Sequence, residues 1–133
     1  MMESIATEFR DQDFNAVGGM TMGADPIVSA CTLLSGCWGL PLHGFLIRKE
    51  AKAYGTGKRI EGPLAKRDRV VLVEDVTTTG ITLIEAAQVV REFGCNVLAA
   101  FTVVDREEGG REALAAEGIP LHSILGRKDL TEG

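Results

Sequence analysis

The sequence predicts an α/β fold: a Rossmann-like parallel sheet flanked by helices, held in a single domain over residues 1–133. Two observations carry that expectation. Residues 70–73 and 97–104 are continuous apolar runs rather than alternating ones, the pattern of strands covered on both faces. Segments with helical spacing lie between the candidate strands, so right-handed crossovers and a parallel sheet with helices on both faces follow. A chain of 133 residues with 45% hydrophobic content can bury roughly two-thirds of its unfolded surface around one core.

In chain order, Met2, Ile5 and Phe9 fall on one side of a helix end expected within residues 1–10. Residues 14–17 read as a short strand leading into Gly18-Gly19. Asp25 and Pro26 suit the N-cap and first turn of a helix with Ile27, Ala30, Cys31 and Leu34 on its apolar side and Gly36 as its stop. A second strand is expected near residues 42–47. Tyr54-Gly55-Thr56-Gly57-Lys58 has two glycines and no apolar periodicity, which reads as a mobile loop. After the run at 70–73, Thr82 and Glu85 have the spacing of a capping box at the start of a helix. Gly94 suits a left-handed cap at its end. Residues 97–104 form a buried strand finishing at Asp105-Arg106. Residues 111–117 form a short helix stopped by Gly118 and Pro120, and residues 121–125 a last strand.

The net charge of -5 hides a division. Residues 48–69 hold eight of the fourteen basic side chains and three acids, so this segment carries +5 and the remainder -10. A basic stretch on an acidic protein argues for a small polyanionic ligand and against nucleic acid, for which seven aromatic residues also offer little support. No apolar run approaches ~20 residues and no signal-peptide pattern is seen, giving the expectation of a soluble cytoplasmic protein without membrane association. Cys31, Cys37 and Cys95 lack metal-ligand spacing and read as free thiols. His43 and His122 stand alone on expected strands, in structural roles.

The chemistry concentrates where the apolar run 70–73 ends. Two adjacent carboxylates, Glu74 and Asp75, precede a hydroxyl-rich turn, Val76-Thr77-Thr78-Thr79-Gly80, and then a helix begins. A turn at a helix N-terminus offers backbone N–H groups and the positive end of the dipole to an anion such as phosphate. The carboxylates suit the hydroxyls of a sugar carrying that phosphate, although one solvated and one capping carboxylate is the plainer reading. Gly18-Gly19, Arg48-Lys49, Glu74-Asp75 and Asp105-Arg106 all fall at the carboxyl ends of expected strands, where parallel sheets bind ligands.

Val71-Leu72-Val73-Glu74-Asp75-Val76-Thr77-Thr78-Thr79-Gly80 resembles the phosphoribosyl-pyrophosphate (PRPP) signature of the type I phosphoribosyltransferases, nearest to the orotate-specific members. The likeness runs in ordered blocks: Val17-Gly18-Gly19-Met20-Thr21-Met22-Gly23-Ala24-Asp25-Pro26, Ile47-Arg48-Lys49-Glu50-Ala51-Lys52, Ile60-Glu61-Gly62-Pro63 and Val104-Asp105-Arg106. It implies the type I phosphoribosyltransferase fold and a glycosyltransferase of pyrimidine biosynthesis. The 5-phosphoribosyl group of PRPP would pass to orotate, giving orotidine 5-phosphate and pyrophosphate. By resemblance, Val76, Thr77, Thr78, Thr79, Gly80, Ile81 and Thr82 cradle the 5-phosphate. Glu74 and Asp75 hold the ribose beside its developing positive charge. Gly18 to Gly23, with Gly19, Met20 and Thr21 as the named contacts, match a loop that meets pyrophosphate through its backbone, often across a non-proline cis peptide. Arg48, Lys49, Lys52 and Tyr54 reach the pyrophosphate, partly in the neighbouring subunit of a homodimer. Glu74, Asp75, Lys49 and Lys52 are then the catalytic set, and Thr78 and Arg106 bind orotate. Magnesium would arrive with PRPP, without a protein cage of its own.

The sequence departs from the pattern in four places. Met22 stands where many relatives have a lysine, Tyr54 where a histidine is usual, and Ile81 where glycine or threonine is common. The orotate-specific members also carry a region ahead of this stretch that helps cover the base, and nothing in this sequence matches it. Two other readings therefore stand beside the first: a PRPP- or nucleotide-binding regulatory protein with weak or no turnover, and a phosphoribosyltransferase for another base.

Overall fold

The computed structural model describes residues 14–37, 39, 42–50 and 59–131. The helix expected in residues 1–10 and the loop carrying Lys52 and Tyr54 lie outside the described residues.

Six strands form one sheet: β1 (Ala16–Met20), β2 (His43–Ile47), β3 (Ile60–Glu61), β4 (Arg69–Thr77), β5 (Asn96–Asp105) and β6 (Leu121–Leu125). Their order across the sheet is β3-β2-β1-β4-β5-β6. All neighbours are parallel except β3, which returns antiparallel along β2 through Leu46↔Glu61 and Ile47↔Ile60. The helices among the described residues are α1 (Asp25–Cys37), α2 (Ile81–Phe93), α3 (Gly110–Ala116) and α4 (Arg127–Thr131).

The apolar run of β4 explains why the sheet needs two covers. Side chains alternate between faces. Val70 and Leu72 enter a core with Leu83, Ala86, Ala87 and Val90 of α2 and Leu114 of α3. Val71 and Val73 enter a second core with Val28 and Cys31 of α1. Burying each of these Val or Leu side chains is worth about 1.5–3 kcal/mol. The chain moves outward from β1 to β2 in one direction and from β4 to β5 to β6 in the other. Crossovers of one handedness then put α1 on one face and α2 and α3 on the opposite face. The direction reverses between the adjacent strands β1 and β4, which opens a crevice at their carboxyl ends.

Three local expectations are corrected. The first strand does not stop before its glycines: Gly18 pairs with Phe45 on one side and Leu72 on the other. A Cβ there would sit 2.4 Å from the Phe45 ring, so glycine is what lets this central strand pass. In α1, Gly36 does not end the helix, and the buried stripe is Val28, Cys31 and Ser35 while Ala30 and Leu34 face outward. Ser35 tolerates burial because its hydroxyl donates to Thr32 O at 2.8 Å. The capping box also fails. Gly80, at φ 85°, is the N-cap of α2 with no side-chain cap, and Glu85 is engaged instead by Arg59 at 2.7 Å.

Elsewhere expectation and structure agree closely. Gly94 caps α2 in the left-handed region at φ 108°, with its N–H on Arg91 O. The last strand has its expected ends, and α3 starts one residue early. His122 stacks on Phe101 with ring centroids 4.7 Å apart. All three cysteines are free, Cys31 and Cys95 buried and Cys37 exposed. Among the described residues no helix is long and apolar enough to cross a membrane.

Candidate active site

Strand β4 carries its apolar residues into the core and delivers Glu74, Asp75 and Thr77 at its end. Glu74 is 6% exposed, whereas Asp75 faces solvent. Glu74 Oε1 accepts from Asp75 N at 3.0 Å, and Asp75 Oδ1 accepts from Val76 N at 2.7 Å. Burial pushes the Glu74 carboxyl up to about 7, its side-chain hydrogen bond with Asp75 adds to the rise, and the Lys49 ammonium pulls the other way. Asp75 is lowered, chiefly by the same side-chain bond. Two carboxyls in contact thus divide into one that keeps its proton near neutrality and one that stays charged.

The turn that follows is braced from behind. Arg106 N donates to Thr77 O at 2.9 Å and Gly110 N to Thr78 O at 3.1 Å, so the β5–α3 connection holds the β4–α2 turn through main-chain bonds. Asp105, almost fully buried, stiffens that connection by accepting from Glu107 N at 2.9 Å and pairing with Arg111 at 3.6 Å. Residues 76–83 line a small pocket with Glu74 at its edge. The first N–H groups of a helix have no partner within it, and here they open toward this pocket with no side-chain cap in the way. Thr77 Oγ1 is buried without a partner, a further group able to meet an anion's oxygen. Thr79 and Thr82 are exposed, Thr78 is half-buried, and Ile81 is 69% exposed on the first turn of α2.

Opposite this turn, the connection from β1 to α1 leans on the carboxylates. A Cβ at Gly23 would lie 2.2 Å from Glu74 Oε1 and 2.7 Å from Asp75 Oδ1, so only a glycine allows that approach. The Thr21–Met22 peptide is cis. Of the residues assigned to this loop by resemblance, Gly19 and Met20 lie inside β1, with the Met20 side chain in the core. Thr21 N is spent on Ile47 O at 2.9 Å, and Met20 O accepts from Ala24 N. The amides that this loop leaves to offer are therefore those of Met22 and Gly23, at the end of the expected Gly18 to Gly23 stretch.

The basic residues are less gathered. Lys49 follows β2 at the carboxyl end of the sheet, exposed, and its charge lowers the Glu74 carboxyl slightly against the larger effect of burial. The Arg48 guanidinium is paired with Glu61 at 2.8 Å. Arg106 stands exposed at the end of β5, 3.6 Å from Glu108. Sequence reading placed Gly23 in the loop and Asp105 at a strand end, but it did not find Gly110 behind the turn or the contact of Gly23 with the carboxylates. The pairs of glycines and acids flanking each strand end were the available signal, but which glycine faces a carboxylate is a tertiary fact. Among the described residues no group of three or more His, Cys, Asp or Glu is placed to hold a metal ion.

An acidic pair and a braced turn at a helix N-terminus thus meet at the switch point of a mostly parallel α/β sheet. The phosphoribosyl transferase domain model matches residues 32–117. An orotate phosphoribosyltransferase of Aquifex aeolicus is 46% identical over 121 residues, 90% of this chain and 66% of that protein. The crystal structure of the Mycobacterium tuberculosis H37Rv orotate phosphoribosyltransferase with Fe(III) dicitrate superposes with a TM-score of 0.82 at 40% identity, covering 97% of this chain and 72% of that one. The same enzyme in complex with PRPP gives 0.79 at 36% identity, covering 98% and 73%. The chain thus spans about two thirds of the length of the curated relatives it matches, 66% and 64% for two of them. It belongs to the phosphoribosyltransferase family, within the orotate phosphoribosyltransferase branch.

Proposed function

We propose that the chain transfers the 5-phosphoribosyl group of PRPP to orotate, releasing pyrophosphate and forming orotidine 5-phosphate. The observation that supports this reading most is the buried–exposed carboxyl pair placed beside a backbone-braced turn at a helix N-terminus. The bond from the anomeric carbon to pyrophosphate breaks as the base nitrogen attacks, and the transition state has oxocarbenium character. Catalysis then needs the phosphate anchored, the positive ribose stabilised and the leaving group neutralised. In this reading the amides of residues 77–82 anchor the 5-phosphate and Glu74 and Asp75 hold the ribose hydroxyls. The charge of Asp75 faces the developing cation. The amides of Met22 and Gly23, with Lys49, Lys52 and Tyr54, meet the pyrophosphate. Arg106, exposed and cationic beside the turn, takes the orotate carboxylate, with Thr78 next to it. Two carboxyls, one of them protonated near neutrality, do not make a magnesium cage. They suit an ion that keeps most of its ligands from PRPP and supplies charge neutralisation there.

The test is an orotate-dependent pyrophosphate-release assay on the purified 133-residue chain. Release with orotate and none with other bases is the expected outcome; orotate-independent release or none at all rejects the reading. We further infer a two-fold dimer in which Lys52 serves the partner's site, and exposed Leu33 and Leu34 on α1 support an association surface. Mixing an Asp75→Asn chain with a Lys52→Ala chain should restore part of the lost activity, because a mixed dimer holds one intact site. Demonstrated mixed dimers without recovery would place Lys52 in its own subunit's site.

A further inference from the structure

Arg59 is not among the residues so far placed against the ligand, yet its guanidinium makes three hydrogen bonds. Its Nε donates to Arg48 O at 2.9 Å, and its Nη2 donates to Lys49 O at 2.7 Å and to Glu85 Oε1 at 2.7 Å. Arg48 N returns a bond to Arg59 O at 2.7 Å. One side chain therefore grips two consecutive carbonyls just past β2 and ties them to a carboxylate on α2, one turn beyond the anion turn. A planar fork with several fixed donors can do this; an ammonium cannot span the same acceptors.

We propose that Arg59, held by Glu85, is a positioning residue that staples the main chain at Lys49 to helix α2 and so fixes where Lys49 leaves β2 at the carboxyl end of the sheet, for contact with pyrophosphate. The inference rests on the PRPP reading above. Three observations separate it from an ordinary tie between β3 and α2. The gripped carbonyls include that of Lys49 itself, just past the carboxyl end of β2, the end of the sheet at which β4 delivers Glu74 and Asp75. The adjacent cation, Arg48, is directed away onto Glu61, so the staple orients one of the two and not both. The anchor sits on the same helix whose N-terminus forms the anion turn, which sets the distance between the cation and the phosphate end of the site.

Calorimetric titration of PRPP and of ribose 5-phosphate into wild type, Arg59→Gln, Glu85→Gln, Lys49→Ala and the Arg59→Gln/Lys49→Ala double variant tests this. Arg59→Gln should weaken PRPP by about tenfold, a charge-assisted bond's worth, and leave ribose 5-phosphate unchanged because that ligand has no pyrophosphate. Glu85→Gln should weaken PRPP in the same direction by less, and Arg59→Lys should recover only part of the loss. In the Lys49→Ala background Arg59→Gln should add little, since its effect runs through Lys49. An undiminished effect in that background, an equal loss for ribose 5-phosphate, or no effect at all overturns the proposal. Wild type that fails to bind PRPP overturns the functional reading instead.

Discussion

Two parts of the site are built on opposite principles. The β4–α2 turn is fixed by main-chain bonds: Thr77 O and Thr78 O each accept an N–H from the β5–α3 connection, and Gly80 is buried. The basic stretch after β2 is fixed by side chains: Arg48 on Glu61, Arg59 on Glu85, all half-buried or exposed. Main-chain braces in a packed turn are kept at every substitution that preserves packing, while exposed ion pairs are worth only about 0–1 kcal/mol each and rearrange readily. In the proposed reaction one phosphate stays anchored and another leaves; the rigid part would hold the first and the adjustable part would meet the second.

The largest expected effect falls on the rigid part. Asp75→Asn removes the exposed charge without emptying any core, so kcat should drop by about 10²–10³ while the thermal midpoint moves little. Steady-state kinetics beside calorimetric melting checks this, and a variant of near-normal turnover would take Asp75 out of the mechanism. Gly110→Ala probes the brace itself. Its Cβ would lie 2.8 Å from Thr77 Cγ2 and from Thr78 O, so the turn must shift. Ribose 5-phosphate affinity should fall by about tenfold, with an overpacking cost of about 1–3 kcal/mol in urea unfolding. Lys49→Ala, on the adjustable part, should leave ribose 5-phosphate binding intact; equal losses for the two variants would erase the contrast.

The smallest effect is a pH dependence of stability. Glu74 moves from its ordinary 4.5 up to about 7 in the folded protein. Between those values the folded state keeps a proton that the unfolded state has released, so stability falls as pH rises through that window and levels off above it. Asp75 has the opposite shift, and its contribution is lost only at more acidic pH. Urea unfolding at about pH 5 and about pH 7.5 should therefore show wild type losing stability over this interval, with Glu74→Gln much flatter. Matching slopes would mean that Glu74 is ionised at neutrality.

What could be read from the chain alone was whatever depends on local pattern. The unbroken apolar runs at 70–73 and 97–104 demanded two covered faces, and the sheet provides them. The order of acids, hydroxyls and Gly80 before an apolar-periodic helix marked a turn at a helix start, where unpaired backbone N–H groups are an obligatory consequence of helix geometry. Gly94 ended α2 as expected, since a left-handed cap has few other solutions. Other features needed the tertiary structure. Thr82 and Glu85 have capping-box spacing, but Arg59, far along the chain, offers Glu85 a charged partner that a backbone N–H cannot match. The apolar side of α1 turned because its neighbours on the sheet, not its own periodicity, decide which stripe is buried. Gly23 against Glu74, Gly110 behind Thr78 and Arg59 on the Lys49 carbonyl join residues from separate connections. Sequence spacing carries no distance information across such gaps; only the packing of the sheet and its helices sets them.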